Sequence, residues 1–127
     1  MENYLEHANI TVSDRKKTAR LLCDLFDWKI RWEGDSLSGG KTIHVGGENS
    51  YVAVYELGTP ERIATPRNKY LLGLNHIAVV VSDLDAVEKR VQNAGYTAHS
   101  HGDYEPGRRF YFEDDDGLEI EVVSYAQ

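Results

Sequence analysis

The chain has 127 residues, room for one ordinary compact domain with a single core. Its formal charge is −7, with 21 acidic against 14 basic residues, which excludes a broad cationic surface for nucleic-acid phosphates. Cys23 stands alone, so no intrachain disulfide can form, and no apolar run approaches the roughly 20 residues of a membrane span. The N-terminus shows neither a basic leader nor a signal-type apolar core, so a cytoplasmic location is expected.

Residues 7–12, HANITV, read as a strand. Ser13-Asp14 supplies a turn and a helix cap, and Ala19, Leu22, Leu25 and Phe26 then recur at helical spacing. Cys23 falls in that pattern as a small core residue. Residues 29–33 form a second strand, and the glycine- and serine-rich residues 34–40 a loop. Two further strands, 41–45 and 51–57, flank a turn at 46–50. Residues 59–73, with Pro60 and Pro66, link two halves of the chain.

The second half repeats the order. Residues 75–81 are a strand, Ser82-Asp83 a cap and 84–94 a helix. A strand is expected at 96–99, a polar loop at 100–107, a strand at 108–112, an acidic turn at 114–117 and a last strand at 118–124. His7 to Asp14 and His76 to Asp83 both span seven positions. The pattern is βαβββ twice, in modules 1–58 and 74–127 of a single domain 1–127. One helix per module covers one sheet face, so the expected α+β fold is a curved mixed sheet around a metal or ligand cavity.

Strand alternation puts Ala8, Ile10 and Val12 toward the helix and His7, Asn9 and Thr11 opposite. Likewise Ile77, Val79 and Val81 face the helix, with His76 opposite; Leu118, Ile120 and Val122 face it, with Glu119 and Glu121 opposite. Each half thus offers a histidine on its first strand and a glutamate on its last. His7, Glu56, His76 and Glu121 would give two nitrogen and two oxygen ligands for Zn, Ni, Fe or Mn. Taken singly, each also fits an ordinary strand-surface residue; four matched places point to a metal. Arg31, Arg108 and Arg109 could steady a substrate anion, and Glu119 disfavours an anionic substrate unless a cation compensates. His44, Tyr51, Tyr111, Trp28 and Trp32 are candidate wall aromatics. His99 and His101 share a face if their strand persists.

Two segments, LNHIAVVVSDLDAV and RFYFEDDDGLEIEVV, give the chain a family resemblance. It resembles the vicinal oxygen chelate superfamily, which includes glyoxalase I, methylmalonyl-CoA epimerase, extradiol dioxygenases and the fosfomycin and bleomycin resistance proteins. The second segment is similar to the family's F-x-D-P-D-G-x-x-I-E-L pattern, with Asp115 in place of the proline. The resemblance implies that His7, Glu56, His76 and Glu121 occupy the four ligand positions of glyoxalase I. It implies a divalent metal ion (Ni, Zn, Fe or Mn), Glu121 or Glu56 as catalytic base, and a homodimer whose sites draw on both chains. Glyoxalase I places an arginine four residues after the first ligand; Thr11 stands there, so weak or no turnover of a glutathione adduct is expected. The implied activity is a metal-dependent lyase or isomerase acting on a small vicinal hydroxy-carbonyl or dicarbonyl compound. A non-catalytic small-molecule or drug-binding protein, or an Fe(II) ring-cleaving dioxygenase, is the alternative.

Overall fold

The computed structural model describes residues 1–36, 39–104 and 107–125. The chain divides into two compact units, Met1–Glu61 and Arg62–Gln127. Unit 1 runs β1 (His7–Thr11), α1 (Arg15–Phe26), β2 (Lys29–Asp35), β3 (Lys41–Gly46) and β4 (Tyr51–Glu56). Its sheet has the order β1-β4-β3-β2, with β1 parallel to β4 and the other neighbours antiparallel. Unit 2 begins with a single turn of 3-10 helix (Arg67–Lys69). It continues through β5 (Ile77–Val80), α2 (Leu84–Asn93), β6 (His99–Tyr104), β7 (Gly107–Glu113) and β8 (Glu119–Tyr125). Its order, β5-β8-β7-β6, repeats that of unit 1.

The duplicated βαβββ order is therefore present, but the single curved sheet around a cavity is not. Among the described residues there are two four-stranded sheets, each open, with two unpaired edges. The physical reason lies in the pairing: β1 and β5 each bond to only one neighbour, so neither sheet closes on itself.

Local sequence explains both helices. Asp14 accepts a hydrogen bond from Lys17 N at 3.1 Å, and Asp83 accepts one from Ala86 N at 3.1 Å, each satisfying a free donor of the first turn. In α1, Ala19, Leu22 and Leu25 are buried over Ile43, Val45, Val52 and Val54. In α2, Leu84, Val87 and Val91 cover Phe110, Phe112, Ile120 and Val122. Each such side chain contributes about 1.5–3 kcal/mol by leaving water. Truncating Leu22 to alanine costs about 2–5 kcal/mol, because the void adds to the transfer term.

The sixth strand departs from expectation. It occupies His99–Tyr104 rather than 96–99. Ser100 has φ 55, and the β6–β7 pairing is irregular between His99 and Gly102. That bulge breaks the two-residue alternation from which the strand was read. Residues 105–106, at the end of the expected polar loop, and 37–38, in the first loop, lie outside the described residues. Among the described residues, no helix is long and apolar enough to cross a membrane.

Candidate functional site

In unit 2 the face of the sheet away from α2 gathers the polar groups. Directly paired residues share a face, so Glu121 lies beside Ala78 on one side and Tyr111 on the other. His76, just ahead of β5, brings Nε2 to 3.1 Å from Glu121 Oε1. Tyr111 donates its hydroxyl proton to the same oxygen at 3.0 Å, while Arg109 Nη1 donates to Oε2 at 3.0 Å. Glu121 is only 7% exposed, so this network is what makes its charge tolerable there. Burial, followed by the bond to Glu121, pushes the Tyr111 phenol above its ordinary range, which keeps it a donor. Its ring also meets His76 edge-on at 5.6 Å.

The donor spacing fits a metal. Two ligand atoms each about 2.1 Å from an ion, at near right angles, stand about 3 Å apart. His76 Nε2 and Glu121 Oε1 have that separation. With Oε2 held by Arg109, Glu121 would present one oxygen. Among the described residues, no group of three or more His, Cys, Asp or Glu side chains converges as a complete metal cluster.

Unit 1 repeats the backbone but not the chemistry. His7 sits on the face away from α1, stacked on Tyr51 at 4.7 Å, with His44 stacked on Tyr51 at 4.5 Å and Trp32 against His44. Its Nδ1 bonds Glu6 Oε1 at 2.9 Å. Burial and the neighbouring His7 hold the His44 imidazole below its ordinary range. The Glu6 carboxyl is lowered, chiefly by its bond to His7.

Glu56 is not brought together with His7. In the β1–β4 ladder His7 pairs with Tyr51, at the far end of β4 from Glu56. Glu56 also shares the helix face with Val52 and Val54, where Oε1 accepts from Arg15 N at 2.8 Å and Arg15 Nη1 at 3.3 Å. It thus anchors the start of α1, where a negative charge is favoured. The register counterpart of Glu121 in unit 1 is Ala53: Ala78 pairs with Glu121 two residues after His76, and Asn9 pairs with Ala53 two residues after His7.

The arginines proposed as anion holders are already engaged. Arg31 lies 4.5 Å over the Tyr51 ring, Arg108 pairs with Asp85 at 2.8 Å, and Arg109 holds Glu121. The bulge at Ser100 separates His99 and His101. His99 bonds Ser100 Oγ and Glu113 Oε2, both at 2.8 Å, and stacks near Tyr111, whereas His101 bonds Glu88 of α2 at 2.9 Å. Trp28 packs on Phe26. Thr11 lies exposed at the end of β1.

Sequence reasoning missed Arg62 and Arg67. Both come from the stretch read as a linker, and both are clamped to the acidic turn. Arg62 Nη1 donates to Asp116 O at 2.7 Å; Arg67 donates to Gly117 O at 2.6 Å and Asp116 O at 3.3 Å. With Asn75, His76, Glu113 and Glu119 they line a pocket of about 430 Å³ in unit 2. No side-chain pattern marked them, because their partners are backbone carbonyls.

The sheet order, the module repeat and the polar face of unit 2 define a glyoxalase-type fold. The profile of the Glyoxalase/Bleomycin resistance protein/Dioxygenase superfamily matches residues 4–122, and the chain belongs to that superfamily. The chain is similar in structure to a glyoxylase/bleomycin resistance protein/dioxygenase domain from Frankia sp. EAN1pec, with TM-score 0.82 and 20% identity over 99% of this chain and 100% of that one. It is similar also to the fosfomycin resistance protein FosX from Mesorhizobium loti, with TM-score 0.71 and 25% identity over 97% and 92%. A glutamate-to-glutamine mutant of the fosfomycin resistance protein FosX from Listeria monocytogenes, complexed with Mn(II) and 1S,2S-dihydroxypropylphosphonic acid, gives TM-score 0.71 and 20% identity over 97% of this chain and 93% of that one. A search of curated proteins found no match.

Proposed function

We propose that this chain is a divalent-metal-dependent enzyme that moves a proton on a small polar molecule bound through two adjacent oxygens. His76, Glu121 and His7 are its metal ligands. The observation that carries the reading is the 3.1 Å approach of His76 Nε2 to Glu121 Oε1, with the second carboxylate oxygen fixed by Arg109. His7 fits the third place. Its Nδ1 is oriented by Glu6, the usual support for a ligating imidazole, and among the described residues no hydrogen bond engages its Nε2. Homodimer pairing, which the resemblance implies, would join His7 of one chain to His76 and Glu121 of the other. The fold shared with the Mn(II)-bound FosX supports the metal. Glyoxalase I would require Glu56 as a fourth ligand, and its bond to the start of α1 speaks against that.

A divalent ion held there would supply Lewis-acid polarisation of the substrate oxygens. Glu119 is the proton acceptor. It lies two residues before Glu121 on the same face and lines the pocket beside His76, and among the described residues no hydrogen bond or ion pair engages it. Both Glu121 oxygens are occupied, which makes Glu121 a poor base and a well-fixed ligand. Three protein ligands also suit Fe(II) ring cleavage. The pocket's arginines, asparagines and carboxylates favour a small polar substrate over an aromatic ring.

The test is loss of the carbon-bound proton signals of hydroxyacetone in D2O, followed by NMR with Zn(II)-loaded protein. Exchange is expected in the parent and absent in Glu119→Gln, with Zn(II) binding retained in both. Exchange unchanged in Glu119→Gln would remove Glu119 as the base. A chain that binds no divalent ion would end the reading altogether.

A further inference from the structure

The pocket beside His76 has a charge direction. Arg62 and Arg67, held at the Asp116–Gly117 turn, line it, and so do Glu113 and Glu119, paired directly across β7 and β8. We propose that Arg62 and Arg67 are an oxyanion subsite, which takes the carboxylate or phosphate of a small substrate and turns the rest of it toward His76 and Glu119. The anion site stands on the pocket's own geometry; the orientation toward His76 rests on the function proposed above.

How the guanidinium groups are held carries the argument. Among the described residues their hydrogen-bond partners are the backbone carbonyls of Asp116 and Gly117, which are neutral. A carbonyl fixes a guanidinium in place without cancelling its charge, whereas a carboxylate does both. Arg15, Arg108 and Arg109 all pair with carboxylates; among the described residues, neither Arg62 nor Arg67 does. Each guanidinium has five N–H donors, so the clamps leave donors over on both. Two positioned cations with spare donors are the arrangement that binds a carboxylate or phosphate in forked geometry.

The turn that anchors them is itself rigid. Asp114 accepts from Asp116 N and Leu118 N, both at 2.9 Å, and Gly117 adopts φ 84, which a side chain would strain. The two carboxylates of the lining select direction. His99 Nε2 engages Glu113 Oε2 at 2.8 Å, whereas among the described residues no hydrogen bond or ion pair engages Glu119, so the carboxylate side of the pocket disfavours an anion and the arginines draw it. These arginines are the compensating cations that a carboxylate at position 119 demands.

The experiment titrates inorganic phosphate into protein stripped of metal on a chelating resin, at fixed ionic strength and with no soluble chelator, with 15N NMR of arginine Nε–H and backbone amide signals. Saturable shifts are expected at Arg62, Arg67, Asn75 and Gly117. Arg62→Gln leaves the Arg67 clamp intact and is expected to weaken binding at least about tenfold. Arg67→Lys keeps the charge but loses the fork, and is expected to weaken it less. Lys89→Gln is expected to change nothing. Shifts no larger than those from chloride, or unaltered affinity in Arg62→Gln, would overturn the subsite. Because the protein is metal-free, a separate Mn(II) titration tells failure of the metal site from failure of the anion site.

Discussion

The two units build the same sheet around the same kind of helix and diverge on one face only. On the helix faces, Ile43, Val52 and Val54 of unit 1 answer to Phe110, Ile120 and Val122 of unit 2, all buried and apolar. On the other faces, by register, His7 answers to His76, Tyr51 to Glu119, Ala53 to Glu121, His44 to Tyr111 and Thr42 to Arg109. Unit 2 carries a buried carboxylate with its cation and phenol, while unit 1 carries a ladder of rings. A helix-side core built from the same apolar positions in both units leaves the other face free to differ without loss of fold.

Removal of the carboxylate should have the largest effect. Glu121→Ala strands a buried Arg109, whose Nε and Nη2 already lack partners, and should cost about 3–5 kcal/mol in chemical denaturation. Ala53, its unit 1 counterpart, has no charge to balance, so Ala53→Gly should cost only about 1 kcal/mol. Equal losses from the two would dissolve the contrast. Glu56→Gln comes next, at about 1 kcal/mol, because it weakens the acceptor at the start of α1. Tyr111→Phe should cost about 0.5–1.5 kcal/mol through the lost bond to Glu121.

The smallest effect concerns pH. Burial holds the Asp114 carboxyl above its ordinary 3.8, so within that window the folded chain keeps a proton that the unfolded chain releases. Stability contributed by this group therefore falls as pH rises above 3.8. Asp114→Asn keeps an acceptor for Asp116 N and Leu118 N and should flatten the fall in thermal stability as pH rises above 3.8. A slope unchanged in Asp114→Asn would place its origin elsewhere.

Much of this architecture was readable because local signals and tertiary need agree. Asp14 and Asp83 mark their helices by capping chemistry, and HANIT and IAVV alternate against an apolar helix face. His76 and Glu121 followed from the same alternation. Glu56 lies apart from His7 for a physical reason: its parity with Val52 and Val54 places it on the helix face, and the parallel β1–β4 register, a long-range property, sets it at the far end of β4 from Tyr51, the partner of His7. The sixth strand was displaced by the bulge at Ser100, which no composition rule announces. Arg62 and Arg67 were invisible because their partners are backbone carbonyls some fifty residues away, and carbonyls leave no mark in a side-chain pattern.

The central claim is that metal binding follows His76 and Glu121 and not Glu56. Calorimetric titration of Mn(II) into the parent, His76→Ala and Glu56→Gln tests it directly. One ion per chain is expected in the parent, the same affinity in Glu56→Gln, and loss of binding in His76→Ala. Binding that disappears in Glu56→Gln while surviving in His76→Ala would contradict it.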